Sequence, residues 1–317
     1  MNLSKLVLAP MDGVLDAPLR QVLTSVNNYD YCESEFVRII DRCILPQNLL
    51  KKVPELESGG ITSSGTPVYV QFLGQDPEAI AESAALACKM GAPGIDLNFG
   101  CPARQVNKSN GGAALLKDPD LIYHICSAVR DAVPGDIPVT AKMRLGFSDT
   151  HNFLLIAQRI YSSGVNAFCV HGRTKVDEYL AGTVKWDLIG QIRKVSPVPV
   201  IANGDIFSAR AAGECMKVTG CDALMLGRGA LYIPNLANMI RNGEDPFNFS
   251  RMVMTVKMFM DAFIHYYPQR DPFPRLKQYL SYLRKGYPEI QSRDLFRKIC
   301  RSSCWQEGIA ILEQGSE

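Results

Sequence analysis

Eight short apolar runs, at residues 6–9, 31–35, 68–72, 94–98, 139–143, 167–171, 200–203 and 223–226, recur along the first three quarters of this chain. Between them lie stretches with helical periodicity, at 77–90, 119–133, 151–163 and 208–219, the first two with Pro in the first turn. Strand alternating with helix implies a parallel sheet covered by helices. Eight units within about 235 residues match a closed (β/α)8 arrangement, the TIM barrel, which runs to about 250 residues. An open doubly wound sheet would show a Gly-rich first turn, whereas the first run leads into Pro10-Met11-Asp12-Gly13, which is not G-x-G-x-x-G. Beyond the last run the spacing changes. Leu276, Leu280, Leu283 and Tyr287 repeat as one helical stripe, so the chain divides into an α/β barrel over residues 1–242 and an all-helical domain over 243–317.

In such a barrel the residues that end each strand converge on one mouth. Read in order they are Pro10 and Met11, Glu35 and Arg38, Gln71, Asn98 and Cys101, Lys142 and Arg144, His171 and Arg173, Asn203-Gly204-Asp205, and Gly227-Arg228-Gly229. Any one of them has an ordinary structural explanation, but their recurrence at the same strand position points to a site. Gly204 and Gly227, after runs seven and eight, leave room for backbone N–H groups to close on an anion, where barrels commonly hold phosphate. Arg228 adds a charge-assisted contact there. Asp205 reads as a helix cap. Lys142 places a cation beside any ring that gains negative charge on reduction, as a flavin does.

The fourth run ends in Asn98-Phe99-Gly100-Cys101-Pro102, and Gly111-Gly112 follow ten residues later. Asn, Gly, Cys and Pro do nothing for sheet propensity, so this turn presents one thiol at a strand's carboxyl end. A phosphate cradle, a central cation and a proton-donating thiol together point to FMN redox chemistry. The ten cysteines contain no C-x-x-C pair, and with only four histidines no zinc-ligand spacing occurs, so reduced thiols and no metal are expected. No apolar stretch reaches 18 residues, and the run at 6–9 stops at Pro10, too short for a signal-peptide core. The expectation is a cytoplasmic protein with no membrane association, and a monomer.

Net charge is only +2, but its distribution is uneven. Residues 250–301 carry eleven Lys or Arg against four acidic residues, interleaved with nine aromatics, a mixture that can bind phosphates and stack on splayed bases. The same composition also fits a basic helical bundle whose aromatics are core.

Taken together, these motifs resemble the tRNA-dihydrouridine synthases over nearly the whole chain. The resemblance rests on Leu8-Ala-Pro-Met11, Val70-Gln71-Phe-Leu-Gly74, Asp96-Leu-Asn98-Phe-Gly-Cys101-Pro102, Lys142-Met-Arg144, His171-Gly-Arg-Thr174, Ala202-Asn203-Gly204-Asp205-Ile206 and Gly227-Arg-Gly-Ala230, in the family's order. The segment Leu276-Lys-Gln-Tyr-Leu-Ser-Tyr-Leu-Arg-Lys285 most resembles the bacterial C-type branch, associated with uridine 16 of the D-loop. Two positions depart from the family pattern: Phe99, where a small residue or Cys is common, and Asp205, where Glu is frequent.

The resemblance implies that FMN is held by Pro10, Met11, Gln71, Lys142, His171, Asn203, Gly204, Asp205, Gly227 and Arg228, with NADPH as reductant. It implies tRNA contacts at Arg38, Asn98, Tyr179, Arg275, Lys277 and Tyr282, and Cys101 as catalytic acid. In that chemistry a hydride from reduced FMN goes to C6 of uracil and a proton from Cys101 to C5, so the thiol must stay protonated. Asn98 and His171 are candidates for orienting the uracil. A flavin barrel acting on free pyrimidines, as dihydroorotate dehydrogenases do, shares the logic of this mouth, and a non-catalytic RNA-binding barrel shares the tail. Substrate and bound flavin separate the three.

Overall fold

The computed structural model describes residues 3–315. Nine strands form one parallel sheet: β1 (Lys5–Leu8), β2 (Tyr31–Glu33), β3 (Val37–Arg38), β4 (Val68–Leu73), β5 (Ile95–Phe99), β6 (Val139–Arg144), β7 (Ala167–His171), β8 (Val200–Asn203) and β9 (Ala223–Leu226). β1 pairs with both β2 and β9, so the sheet closes on itself. β2 and β3 both pair with β4 and are two halves of one barrel strand, so the closed (β/α)8 barrel expected from eight runs is what the chain forms.

That second strand is where sequence and structure differ. The run at 31–35 reads as continuous, yet pairing stops at Glu33 and resumes at Val37. Four steps from Glu33 to Val37 oppose three from Tyr69 to Phe72, which is one extra residue, a β-bulge. Ser34 causes the break: its hydroxyl accepts the backbone N–H of Gln71 at 3.1 Å, taking a position the ladder would fill. The bulge turns Glu35 outward to accept the N–H of Gly13 in the first loop at the mouth.

The strands read as nearly unbroken apolar runs because both faces are covered. Outward-facing Leu6, Leu8, Val70, Phe72, Ile95, Leu97, Ala141 and Met143 pack under the helices. Inside the barrel Val7, Tyr31, Tyr69, Cys169, Ile201 and Met225 fill the lower layers, with the Tyr31 and Tyr69 rings stacked 4.1 Å apart. One step further along the strands the interior turns polar at Glu33, Gln71, Asp96 and Thr140, all buried. The covering helices begin where the sequence says they should. Asp76 caps Pro77–Lys89, Asp118 caps Pro119–Ala132 and Ser208 caps Ala209–Thr219, each accepting a backbone N–H three residues on.

Every described element after Asn242 is helical: Phe249–Tyr266, Phe273–Leu283, Glu289–Ser292, Leu295–Arg301 and Trp305–Gln314. The stripe Leu276, Leu280, Leu283 and Tyr287 is buried as its spacing requires, and Phe259, Phe263 and Tyr279 join it. Much of the aromatic content of the basic segment is therefore core. Arg275 docks this bundle on the barrel, reaching Val14 O at 2.7 Å and the Asp16 carboxylate at 2.9 Å, while Gln278 Nε2 donates to Gly13 O at 3.0 Å. Among the described residues, no helix is long and apolar enough to cross a membrane.

Candidate functional site

A cavity of about 600 Å³ opens at the carboxyl ends of the strands. All ten residues expected at a cofactor line it: Pro10, Met11, Gln71, Lys142, His171, Asn203, Gly204, Asp205, Gly227 and Arg228. Cys101 lines it too, as do Asn98, Tyr179 and Tyr282 from the set expected at tRNA. Three of that set lie elsewhere. Arg38 is exposed on β3 and hydrogen-bonds Ser109 on the loop beyond Cys101. Lys277 sits 4.1 Å over the Phe273 ring. Arg275 spends its guanidinium on the first barrel loop, as described above.

One wall is built for an anion. Gly204 has φ +123°, open only to glycine, and an added Cβ would lie 3.0 Å from both the His171 ring and Val184. Its carbonyl is fixed by the Trp186 indole N–H at 3.0 Å. Among the described residues, the backbone N–H groups of Gly204, Asp205, Gly227 and Arg228 donate to no protein acceptor. Asp205 does not cap a helix, contrary to the sequence reading. Ser208 does that, and the Asp205 carboxylate is instead held between Arg173, at 2.9 Å, and Arg228, at 3.0 Å. The left-handed backbone at Asp205, φ +53°, turns its side chain onto these two guanidinium groups rather than onto the helix start. Arg228, held from below by Asp205, also lies 4.6 Å from the Tyr179 ring. Free amide donors, a glycine cradle and a positioned guanidinium fit a phosphate group, so this wall suits the phosphate end of FMN.

The opposite wall is built for position. Asn98 Oδ1 accepts the N–H groups of Gly100 and Cys101 at 2.9 and 3.0 Å. Asn107 Nδ2 and the Ala113 N–H both donate to Cys101 O, at 2.9 and 3.1 Å. Gly112, at φ +58°, passes so near that an added Cβ would lie 3.0 Å from Cys101 Cβ, which explains the second glycine of the pair in the motif. Arg144 Nε donates to Gly100 O at 2.8 Å and its Nη1 to Thr174 O at 2.9 Å, tying this turn to the loop that carries Tyr179. Burial pushes the Cys101 thiol up from the ordinary 9.0, and Asp12 adds to this against the opposing pull of Arg144 and Lys142. The thiol is therefore protonated at neutral pH.

Lys142 Nζ bridges the two walls by donating to Asn203 Oδ1 at 3.2 Å, and Asn203 Nδ2 donates in turn to Met225 O at 2.8 Å. His171 is buried, and desolvation, reinforced by Arg144, Lys142, Arg173 and Arg228, holds its pKa well below the usual imidazole value. It is a neutral hydrogen-bonding group. Sequence reasoning left Arg144 and Arg173 without roles and missed Phe36, Phe207 and Glu33. The arginines are at least signalled by their place after a strand. Phe207 enters through contacts made only in the fold, stacking on Tyr232 at 5.3 Å, which stacks in turn on Tyr282 at 6.4 Å. Among the described residues no cluster of three or more His, Cys, Asp or Glu could hold a metal.

Comparison with known proteins identifies the family. The family model described as Dihydrouridine synthase (Dus) matches residues 7–299. A curated tRNA-dihydrouridine(16) synthase of Shewanella oneidensis is 44% identical over 315 residues, covering 98% of each chain. Proteins of the same name from Vibrio parahaemolyticus and Yersinia pestis are each 46% identical, over 93% of this chain and 91% and 94% of theirs. A solved structure of 2-naphthoyl-CoA reductase with 2-naphthoyl-CoA superposes with TM-score 0.56 at 10% identity, over 76% of this chain and 50% of that one. That likeness speaks for the fold alone, and this chain spans half the length of that structure. With the family model matched across the cavity and most of the helical bundle, the chain belongs to the dihydrouridine synthase family.

Proposed function

We propose that this chain reduces the C5=C6 bond of uridine 16 in the D-loop of tRNA to 5,6-dihydrouridine, with FMN as its cofactor and NADPH as reductant. The observation that carries the reading is a single thiol, Cys101, on the same cavity as a phosphate cradle at Gly204, Gly227 and Arg228, with burial pushing that thiol toward its protonated form. When bound, the flavin supplies the hydride that adds to C6 of the uracil ring. The protein must then supply a proton to C5, and a half-buried thiol held in its protonated form is suited to give it. Pro10, Met11, Gln71, Lys142, His171, Asn203, Asp205 and the phosphate-cradle residues would hold the cofactor, with Lys142 as the cation beside its ring. His171 and Asn98 offer neutral hydrogen-bonding groups to the uracil.

A base inside a folded tRNA must be turned outward to enter a cavity at a barrel mouth, so binding energy has to come from elsewhere on the RNA. In this reading residues 1–242 do the chemistry and residues 243–317 bind RNA, with Lys277 and Tyr282 from the bundle and Arg38 and Tyr179 from the barrel. Arg275 would contribute by fixing the bundle against the first loop. Position 16 comes from the names of the relatives, and cytoplasmic residence and a monomeric state complete the proposal.

The test is direct. Purified protein is incubated with FMN, NADPH and unmodified tRNA, and dihydrouridine is mapped at nucleotide resolution. One reduced position in the D-loop supports the reading. Reduction of free uracil or oxidation of dihydroorotate without RNA would replace it by free-pyrimidine chemistry, and RNA binding by a colourless protein that takes up no flavin would leave only a binding barrel.

A further inference from the structure

Beneath the cavity, inside the barrel, two acidic side chains lie together. Glu33 is 1% exposed and Asp96 is fully buried. Gln71 Nε2 donates to both, to Glu33 Oε2 at 3.1 Å and to Asp96 Oδ2 at 2.8 Å, so one amide nitrogen holds the two carboxyl groups side by side. Asp96 Oδ1 also accepts the Thr140 hydroxyl at 2.6 Å. Gln71 Oε1 then accepts Asn98 Nδ2 at 2.8 Å, and Asn98 Oδ1 accepts the N–H groups of Gly100 and Cys101. A continuous chain of hydrogen bonds therefore runs from the acidic pair to the backbone of Cys101.

An amide can point either way, and nothing in Gln71 or Asn98 alone decides which. The backbone N–H groups of Gly100 and Cys101 fix the Asn98 amide from above, and the two acceptors at the base fix Gln71 from below, turning its NH2 down and its oxygen toward Asn98, so both ends hold the relay in one direction. Two buried carboxylates in contact cannot both be charged, so one proton must lie between them. We propose that Glu33 and Asp96 share a single proton, carried by Glu33 and donated to Asp96, and that the pair acts as a positioning device fixing the direction of the Gln71–Asn98 relay to Cys101.

Each carboxyl has a different part. Asp96 must accept from Gln71, Thr140 and Glu33, which only a carboxylate can do. Glu33 donates one hydrogen bond and accepts one, which an amide can imitate. In line with this, burial and the neighbouring Asp96 push Glu33 well above the usual carboxyl range. Burial raises Asp96 as well, but the hydrogen bonds from the Thr140 hydroxyl and the Gln71 amide, with the charge of Lys142, pull it back, which favours Asp96 as the ionised member.

The consequence for turnover rests on the proposed role of Cys101, while the proton itself does not, so the test has two arms. Infrared spectroscopy of the FMN-loaded wild type at neutral pH should show the C=O stretch of a buried protonated carboxyl that is absent in Glu33→Gln. No such band in the wild type overturns the proposal whatever the enzyme does. In the second arm Asp96→Asn should slow reduction of tRNA uridine by about tenfold or more, the loss expected for about 1.4 kcal/mol and above, with flavin reduction by NADPH less affected. Glu33→Gln should cost under about threefold, and Glu33→Leu, which cannot donate, should fall with Asp96→Asn. Equal losses in Glu33→Gln and Asp96→Asn would overturn the assignment of the proton to Glu33, and if neither substitution changes turnover the relay is not what positions Cys101. Should Asp96→Asn fail to fold, the infrared band and the Gln against Leu comparison at Glu33 still decide.

Discussion

The two walls of the cavity use the same chemistry in opposite ways. On the Gly204 and Gly227 side, backbone N–H groups have no protein partner among the described residues and point to a ligand that is itself an acceptor. On the Cys101 side, the backbone groups of Gly100 and Cys101 are consumed by Asn98, Asn107, Ala113 and Arg144. A wall with free donors binds, and one whose donors are spent holds a side chain still. Damage to the first should therefore cost cofactor, and damage to the second should cost turnover while the cofactor stays.

The sharpest separation comes from Cys101→Ala. Reduction of tRNA uridine should fall by roughly 10² to 10⁴, the usual share of a positioned general acid. Flavin content and flavin reduction by NADPH should match the wild type, measured by absorbance and stopped flow. A mutant that loses flavin instead would erase the distinction between the walls.

Arg228→Ala tests the binding wall. Losing a charge-assisted contact of about 1.5–3 kcal/mol should weaken FMN retention roughly 10- to 100-fold, read by fluorescence titration of the apoprotein. Asp205 keeps Arg173, so the fold should survive. A fully flavin-loaded variant contradicts the phosphate role. Gly204→Ala should act in the same direction with a smaller effect, since a side chain at φ +123° costs about 1–3 kcal/mol of backbone strain shared between folding and flavin binding.

The smallest effect is expected far from both walls. Lys277→Gln should lower tRNA affinity modestly and reduce the slope of log affinity against log salt by about 0.7–0.9, the value for one phosphate contact. An unchanged slope would remove Lys277 from the RNA surface and leave it as a partner of Phe273.

These walls differ also in how far the sequence discloses them. The strand count, the mouth and the residues ending each strand follow from period and position, because a barrel brings every strand end to one place. The Cys101 turn is legible since Asn98, Gly100, Pro102, Gly111 and Gly112 are local to it. Contacts between distant segments are not. Asp205 reads as a cap because nothing near it in sequence shows that Arg173 and Arg228 will reach its carboxylate. Glu33 is hidden in an apolar run, and only the pairing of β2 and β5 on either side of β4 sets it against Asp96. In the helical bundle, composition alone left the aromatics undecided between stacking on bases and packing. Phe259, Phe263, Tyr279 and Tyr287 turn out to be buried, while half-buried Tyr282 reaches the cavity.

The central claim is that Cys101 remains a thiol at neutral pH, ready to give its proton. It is tested by following alkylation of the Cys101 peptide by mass spectrometry as a function of pH. The rate should keep rising as pH passes the ordinary thiol value of 9.0, in keeping with burial of the group. A rate that has already levelled off at neutral pH would mean a thiolate, and Cys101 could not be the acid.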